Sequence, residues 1–325
     1  MTDETARGLK VLHVIDSLGV GGGAEHSLVA MLPELADRGI TSEVVCLIPR
    51  EGGLQAQVID MGVRLDVVPA GRFPVRARWL RERLVDSRAD LLHASLVSSC
   101  FLSRAAARRT GVPQVNSLVQ TTYDLELRAQ AGISPWKLRT MAAVDGFTAR
   151  RYVDHVHSLT AAVTTEATEV LGIDPGRITE IPRGRSTEQL GVRSAERRRR
   201  VRAGLGLPDD APVVLNVARQ DQQKSQALLV EAFAEVVAEQ PGAVLLIAGR
   251  EGNATADIRA AVRATSMEGS VTLLGHRTDV PDLLAAADVF TLPSVSEGFG
   301  GAVIEAMALE VPVVVSDHPA LAEVV

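Results

Sequence analysis

Short apolar runs alternate with helix-compatible stretches along this 325-residue chain, stop, and then start again. That doubled alternation limits the fold more than any other feature. Runs near 11 to 15, 43 to 48, 64 to 69, 90 to 94, 113 to 119 and 157 to 163 read as strands. A second series follows at 211 to 218, 243 to 248, 271 to 274, 288 to 292 and 311 to 315. Strands separated by helices need crossover connections, so each series predicts a parallel sheet with helices on both faces. Between the series, Arg185 to Arg202 is polar and Arg-rich, which predicts a linker followed by an exposed helix. The expected fold class is α/β twice over, with Rossmann-like domains at 1–185 and 186–325. The chain is long enough for two cores, and 3% aromatic content makes those cores aliphatic.

Charge and cysteine usage narrow the function. A formal net charge of −6 argues against nucleic acid as the main partner. No apolar stretch is long enough to cross a membrane, and the start Met-Thr-Asp-Glu-Thr lacks a basic region followed by an apolar one. Cys46 and Cys100 have no metal-like spacing, so a reducing cytoplasm is the expected location. One basic stretch, Arg72 to Arg83 with Trp79 and Leu80 interleaved, reads as a solvated helix. Its other readings are a peripheral contact at the inner face of a membrane, or the flank of an acceptor site.

The chemistry concentrates between Ser294 and Val315. An apolar run ends at Pro293; Gly298, Gly300 and Gly301 then permit a tight turn before a helix that carries Ile304, Glu305, Ala306 and Met307. The first N–H groups of such a helix lack internal partners and suit phosphate or sugar oxygens. Glu297 before the turn and Glu305 one turn into the helix add two carboxylates, which accept hydrogen bonds from hydroxyls. A ligand with phosphate between two sugar rings, a nucleotide sugar, satisfies both kinds of group. Taken alone, a Glu pair also reads as a helix cap and a solvated helix residue. Upstream, Arg219 and Lys224 follow the strand 211 to 218, in the crevice where open α/β sheets bind ligands. Of the 34 basic residues only Lys10, Lys137 and Lys224 are Lys, and an ammonium is a point charge suited to a diphosphate.

Taken in order, Arg219 with Lys224, Gly249-Arg250-Glu251-Gly252, Leu274-Gly275-His276 and Glu297 to Glu305 resemble the carboxyl-terminal half of the family-4 glycosyltransferases of the GT-B fold. Gly19-Val-Gly21-Gly22-Gly23-Ala24-Glu25 resembles that family's turn before the first helix, and Asp90 to His93 and Ile181-Pro-Arg-Gly184 resemble two further landmarks. The Gly turn also roughly fits a dinucleotide fingerprint. Asp16, Ser17 and Leu18 intervene between strand and turn, however, and the second strand ends in Pro49-Arg50 without an acid.

The resemblance implies two Rossmann-like domains facing each other across a cleft, and retaining transfer of a sugar from a nucleoside diphosphate sugar to a hydroxyl. Arg219 and Lys224 would neutralise the leaving diphosphate, Glu305 would hold the ribose hydroxyls, and Glu297 would contact the transferred sugar. Gly298, Phe299, Gly300 and Gly301 would line the donor site, and Gly21, Gly22 and Gly23 would approach from the amino-terminal, acceptor-side domain. His93 is a candidate catalytic group, although a lone His beside apolar residues is more often a packed core residue. No cofactor and no metal are expected, since no His and Asp cluster has ligand spacing and the cations take that role. The implied acceptor is a glycan, as in envelope polysaccharide biosynthesis, a lipid or a small molecule.

Two departures stand out. The family's His after the strand that matches Val115 to Leu118 is replaced by Val119 or Gln120, leaving Gln120, Thr121 or His93 as substitutes. The chain also ends at Pro319 to Val325, before the family's closing segment, which predicts an incomplete second domain. Two other readings therefore stand beside transfer: a truncated homologue that binds a nucleotide or partner without turnover, and a GT-B-fold sugar-nucleotide epimerase.

Overall fold

The computed structural model describes residues 8–19, 22–50, 52–123 and 134–325. It divides into two units, Met1–Pro182 and Arg183–Val325, each built on its own parallel sheet.

In the first unit the strands are β1 (Lys10–Ile15), β2 (Thr41–Cys46), β3 (Arg64–Val67), β4 (Leu91–Ser95), β5 (Gln114–Leu118), β6 (His155–Ser158) and β7 (Ile178–Glu180). They lie in the order β3-β2-β1-β4-β5-β6-β7. The helices between them are α1 (Gly23–Asp37), α2 (Gln55–Asp60), α3 (Phe73–Ser87), α4 (Val97–Ala107), α5 (Pro135–Tyr152) and α6 (Ala161–Glu169). Alternation along β1 sends Leu12 and Val14 to one face, with Leu80 and Leu84 of α3 and Leu102 of α4. Ile15 packs on the other face with Leu28 and Leu32 of α1. Burial on both faces explains why the strands read as continuous apolar runs.

The second unit carries β8 (Val213–Val217), β9 (Val244–Ala248), β10 (Val271–Gly275), β11 (Val289–Leu292) and β12 (Val313–Val315), in the order β10-β9-β8-β11-β12. Its helices are α7 (Thr187–Leu190), α8 (Ala195–Gly204), α9 (Gln226–Glu239), α10 (Thr255–Ala264), α11 (Val280–Ala286), α12 (Gly301–Ala308) and α13 (Pro319–Ala322). Leu215, Leu246 and Phe290 pack against Leu283 and Leu284 of α11 and Val303 and Ala306 of α12. Leu245 and Ile247 face Val230 and Phe233 of α9 and Ile258 of α10. No helix among the described residues is long and apolar enough to cross a membrane.

The structure corrects three sequence expectations. The run expected as a strand over 157 to 163 stops at Ser158, because Thr160 caps a helix by accepting from the Val163 N–H. The short strand β7, Ile178-Thr-Glu180, extends the sheet where no strand was expected, its three residues being too few and too polar to signal one. The Arg-rich α8 is also not simply an exposed helix. Arg202 is fully buried; it donates to the carbonyls of Ala286, Pro208, Asp209 and Ala211 and pairs with Asp288 at 2.7 Å. Arg197 and Arg198 pair with Asp282 and Asp288, each at 2.6 Å.

The basic stretch Arg72 to Arg83 is in part the solvated helix expected, with Arg72, Arg78 and Arg81 exposed, and in part engaged within its own unit. Arg83 is buried between Glu43 and Asp66, each at 2.5 Å. Arg76 donates to the Leu47 carbonyl and Arg81 to that of Ala106.

Candidate functional site

In the second unit the strand order reverses direction between β8 and β11, the place where doubly wound sheets leave a crevice beyond the carboxyl ends of their strands. The loop after β8 carries Arg219, a 3-10 turn over Gln222–Lys224, and Ser225 at φ 49°, from which α9 starts. The loop after β11 carries Glu297 and the Gly turn into α12. The two loops are joined. Val295 N–H donates to the Gln223 carbonyl at 2.9 Å, and Lys224 Nζ meets Glu297 Oε1 at 2.5 Å. Both partners of that ion pair are largely buried, so water screens it less than a surface pair. Arg219 pairs with Asp221 in the same loop and stays accessible, its side chain 41% exposed. The Gly249 to Gly252 segment supports this loop from β9: Gln220 N–H donates to the Arg250 carbonyl at 3.1 Å, and Gly249 N–H to that of Gly275, just before His276.

Gly300 is the residue before α12 and sits in the left-handed region at φ 69°, where a side chain would also meet Leu321 Cδ2 at 2.6 Å. Gly298 precedes the buried Phe299 in the same turn. The helix that follows begins at Gly301, and its first amides have no carbonyl four residues back. Glu305, one turn in, is already engaged: Arg185 Nε donates to its Oε1 at 2.6 Å. Sequence reasoning missed Arg185. Its only signal was adjacency to Ile181-Pro-Arg-Gly184, since 120 residues separate it from Glu305. The structure thus brings Lys224 to Glu297, keeps Arg219 on the same loop as Lys224, and places Gly298 to Gly301 and Glu305 on the turn and helix beside them.

The first unit holds the remaining candidates. Gly22 is extended (φ −114°) before α1, and Gly23 is its first residue; Gly21 lies outside the described residues. The order reverses here between β1 and β4. Asp16, just past β1, caps α4 by accepting from the N–H and hydroxyl of Ser99 at 2.7 and 2.5 Å.

His93 sits in the middle of β4, not at its tip. Its Nδ1 lies 2.9 Å from His13 Nδ1 and its Nε2 lies 2.7 Å from Ser117 Oγ. Ser117 Oγ continues to His157 Nδ1 at 2.9 Å, and His157 Nε2 to the Ile181 carbonyl at 2.9 Å. At the other end His13 Nε2 meets Ser42 Oγ at 3.3 Å. A carbonyl only accepts, so with neutral rings the whole row has one direction, each group donating toward Ile181.

Burial pushes the His13 imidazole down to about 4. The unfolded chain takes up that proton near pH 6.5, the folded one only near 4, so stability falls as pH drops through this window. Urea unfolding from pH 6.5 to 4.5 is expected to cost the wild type about 2 kcal/mol more than His13→Asn. Equal losses would show that His13 is not the group responsible.

Where the family's cleft His was expected, Val119 packs on the core, Gln120 is exposed, and Thr121 Oγ1 is buried with no hydrogen-bond partner among the described residues. A cavity of about 30 Å3 lined by Leu96, Cys100, Gln120 and Tyr123 has room for a water but not a substrate. Both thiols are buried and pushed up to about 12, which removes them as nucleophiles at neutral pH. Among the described residues, no three His, Cys, Asp or Glu side chains gather as metal ligands.

With this geometry in view, comparison with known proteins is informative. Residues 22–184 match the family described as Glycosyl transferase 4-like domain, and residues 197–325 match Glycosyl transferases group 1. A D-inositol 3-phosphate glycosyltransferase of Kineococcus radiotolerans is 28% identical over 91% of this chain and 73% of its own length. The D-inositol 3-phosphate glycosyltransferase 2 of Catenulispora acidiphila is 29% identical over 94% of this chain and 77% of its own. Among solved structures, Anabaena HepE in complex with UDP-glucose superimposes with a TM-score of 0.83 at 21% identity, covering 98% of this chain and 83% of that one. At that identity the likeness speaks for the GT-B fold, with its two Rossmann-like domains.

Proposed function

Because this chain belongs to the glycosyl transferase 4-like and group 1 family, we propose that it transfers a hexose from a uridine diphosphate sugar to an acceptor hydroxyl with retention of configuration. The coarser part of that statement, a glycosyltransferase using a nucleotide sugar, follows from the family. The observation that carries the transfer chemistry is the pairing of the loops after β8 and β11 by Lys224 and Glu297 at the switch point of the second sheet, next to the Gly turn and Glu305. Relatives named for transfer to an inositol phosphate, and a fold neighbour holding UDP-glucose, support a hydroxyl acceptor and a uridine donor.

In this reading the bond from the anomeric carbon to the diphosphate oxygen breaks with its electrons going to phosphate, the acceptor oxygen bonds to that carbon on the same face, and the acceptor's proton passes to the departing phosphate oxygen. Lys224 and Arg219 meet that growing charge as preorganised cations. Glu297, held by Lys224, is placed for the hydroxyls and positive character of the transferred sugar. Glu305 accepts from the ribose hydroxyls, and the amides at the start of α12 take phosphate oxygens. With cations in these roles no divalent metal is needed. His93, bonded through both nitrogens within the sheet, is left out of the transfer step.

The test is thermal melting of the chain against UDP, GDP and ADP, with Glu305→Ala alongside, then a transfer assay in EDTA. A ligand that binds only the folded state raises the midpoint. UDP alone is expected to raise it, and Glu305→Ala to abolish the shift. No shift with any diphosphate in a cooperatively melting protein would sink the reading. A shift without transfer would favour a binding module, and isomer formation without acceptor an epimerase.

A further inference from the structure

Glu305, the carboxylate assigned above to the ribose, already carries a cation. Arg185 donates from Nε to Glu305 Oε1 at 2.6 Å and from Nη1 to the Gly184 carbonyl at 3.0 Å. Its third nitrogen, Nη2, has no protein acceptor among the described residues. It lies against the first residue of α12, so near that a Cβ on Gly301 would stand 2.0 Å from it. Gly301 is therefore the residue that lets this guanidinium reach the start of the helix. The pair is neither sealed nor fully solvated, with side chains 21% and 22% exposed.

Three physical consequences follow. A cation at the amino end of a helix is disfavoured by the helix dipole, so the arrangement depends on a nearby anion, and Glu305 supplies one. A carboxylate with one oxygen on an arginine keeps its other oxygen for two more donors, so Glu305 remains able to accept from a diol. Pairing also cancels the charge by which Glu305 would otherwise repel a phosphate on the neighbouring turn. A guanidinium, with its rigid fork of donors, can serve a carboxylate and a phosphate oxygen at once; an ammonium, as a single point, serves both less well.

We propose that Arg185 is a donor-binding residue of this site. Nε holds Glu305 in place for the ribose hydroxyls, and Nη2 takes an oxygen of the donor diphosphate. The proposal rests on the nucleotide-sugar reading above and adds to it a residue that reads phosphate and ribose together.

The experiment compares UDP, titrated by calorimetry, with uridine, titrated by NMR, on the wild type, Arg185→Met, Arg185→Lys and Glu305→Gln. Circular dichroism melts check that each variant folds. Arg185→Met is expected to weaken UDP by roughly ten- to a hundredfold, the range of a bond to a charged group, and uridine by less than about threefold. Arg185→Lys should recover part of the UDP affinity, whereas Glu305→Gln should weaken both compounds. Equal weakening of UDP and uridine by Arg185→Met would reduce Arg185 to a support for Glu305 and overturn the proposal. Tightening of both would overturn it too, making Arg185 a plug rather than a ligand. Failure of the underlying reading looks different, since the wild type would then bind neither compound.

Discussion

Lys224→Ala is expected to slow sugar transfer by about a hundred- to a thousandfold, the cost typical of removing one preorganised charge from a reacting group. The loss should fall on kcat more than on donor affinity, because the charge that Lys224 answers grows as the diphosphate leaves. Its position makes the effect larger than for a surface lysine. The side chain is only 14% exposed and lies 2.5 Å from Glu297, whose own side chain is 13% exposed. Removing the ammonium leaves Glu297 with no cation where the phosphate charge develops, so attraction is replaced by repulsion. Arg219, shared with Asp221 in the same loop and 41% exposed, still meets part of the growing charge but does not replace the buried ammonium beside Glu297. Single-turnover transfer by the wild type, Lys224→Ala and Lys224→Arg would measure this. A Lys224→Ala rate within about threefold of wild type would remove Lys224 from the chemistry.

Arg202→Ala should lower the unfolding midpoint of the second unit by about 10 °C, with Arg199→Ala and Arg200→Ala nearly neutral. Removing this buried guanidinium costs about 3 kcal/mol, because the carbonyls of Ala286, Pro208, Asp209 and Ala211 lose their donor, while Asp288, its side chain 36% exposed, keeps Arg198 and the Val213 N–H. Arg202 is 0% exposed and ties together three segments: the end of α11 through the Ala286 carbonyl, the turn before β8 through those of Pro208, Asp209 and Ala211, and Asp288 at the entry to β11. Burial alone would raise the Asp288 carboxyl; the Val213 N–H with Arg198 and Arg202 overcomes this and holds it below its usual range. Arg199 and Arg200 on the same helix are exposed, Arg200 making only a loose surface contact with Asp282 at 3.8 Å. Calorimetric melts of the three variants decide the matter, and a common midpoint for all would mean that the buried network carries no net stability.

The same helix explains what the sequence could and could not convey. Strands such as β1, β8 and β11 were legible because burial on both faces leaves an apolar run with Gly or Pro near its end. The run at 157 to 163 was not, because a strand end followed directly by a capped helix has the same apolar letters as one longer strand, and only Thr160 marks the break. In Glu196 to Arg202, consecutive arginines look alike on the page, yet the helix turns some toward Asp282 and Asp288 and others toward water. The paired loops of the candidate site could be anticipated, since strand, Gly turn and spaced carboxylates are local. Arg185 could not, because only the folded chain brings it beside Gly301. The row from His13 to His157 was equally hidden. It depends on strand register, His13 beside His93 and Ser117 beside His157, which no single stretch encodes.

Strand order also bears on how such a chain is made. In both sheets the earliest strand is internal, β1 flanked by β2 and β4, and β8 by β9 and β11. During synthesis from the amino terminus, β8 can pair with β9 at once, but its other edge waits until Val289 has left the ribosome. For that interval a row of unsatisfied amides and carbonyls lies open along Val213 to Val217, the kind of edge that recruits stray strands. The gap that β11 finally closes is the one whose mouth carries Lys224 and Glu297. The seam that leaves room for a ligand is thus stitched late, with only β12 added to the sheet after it.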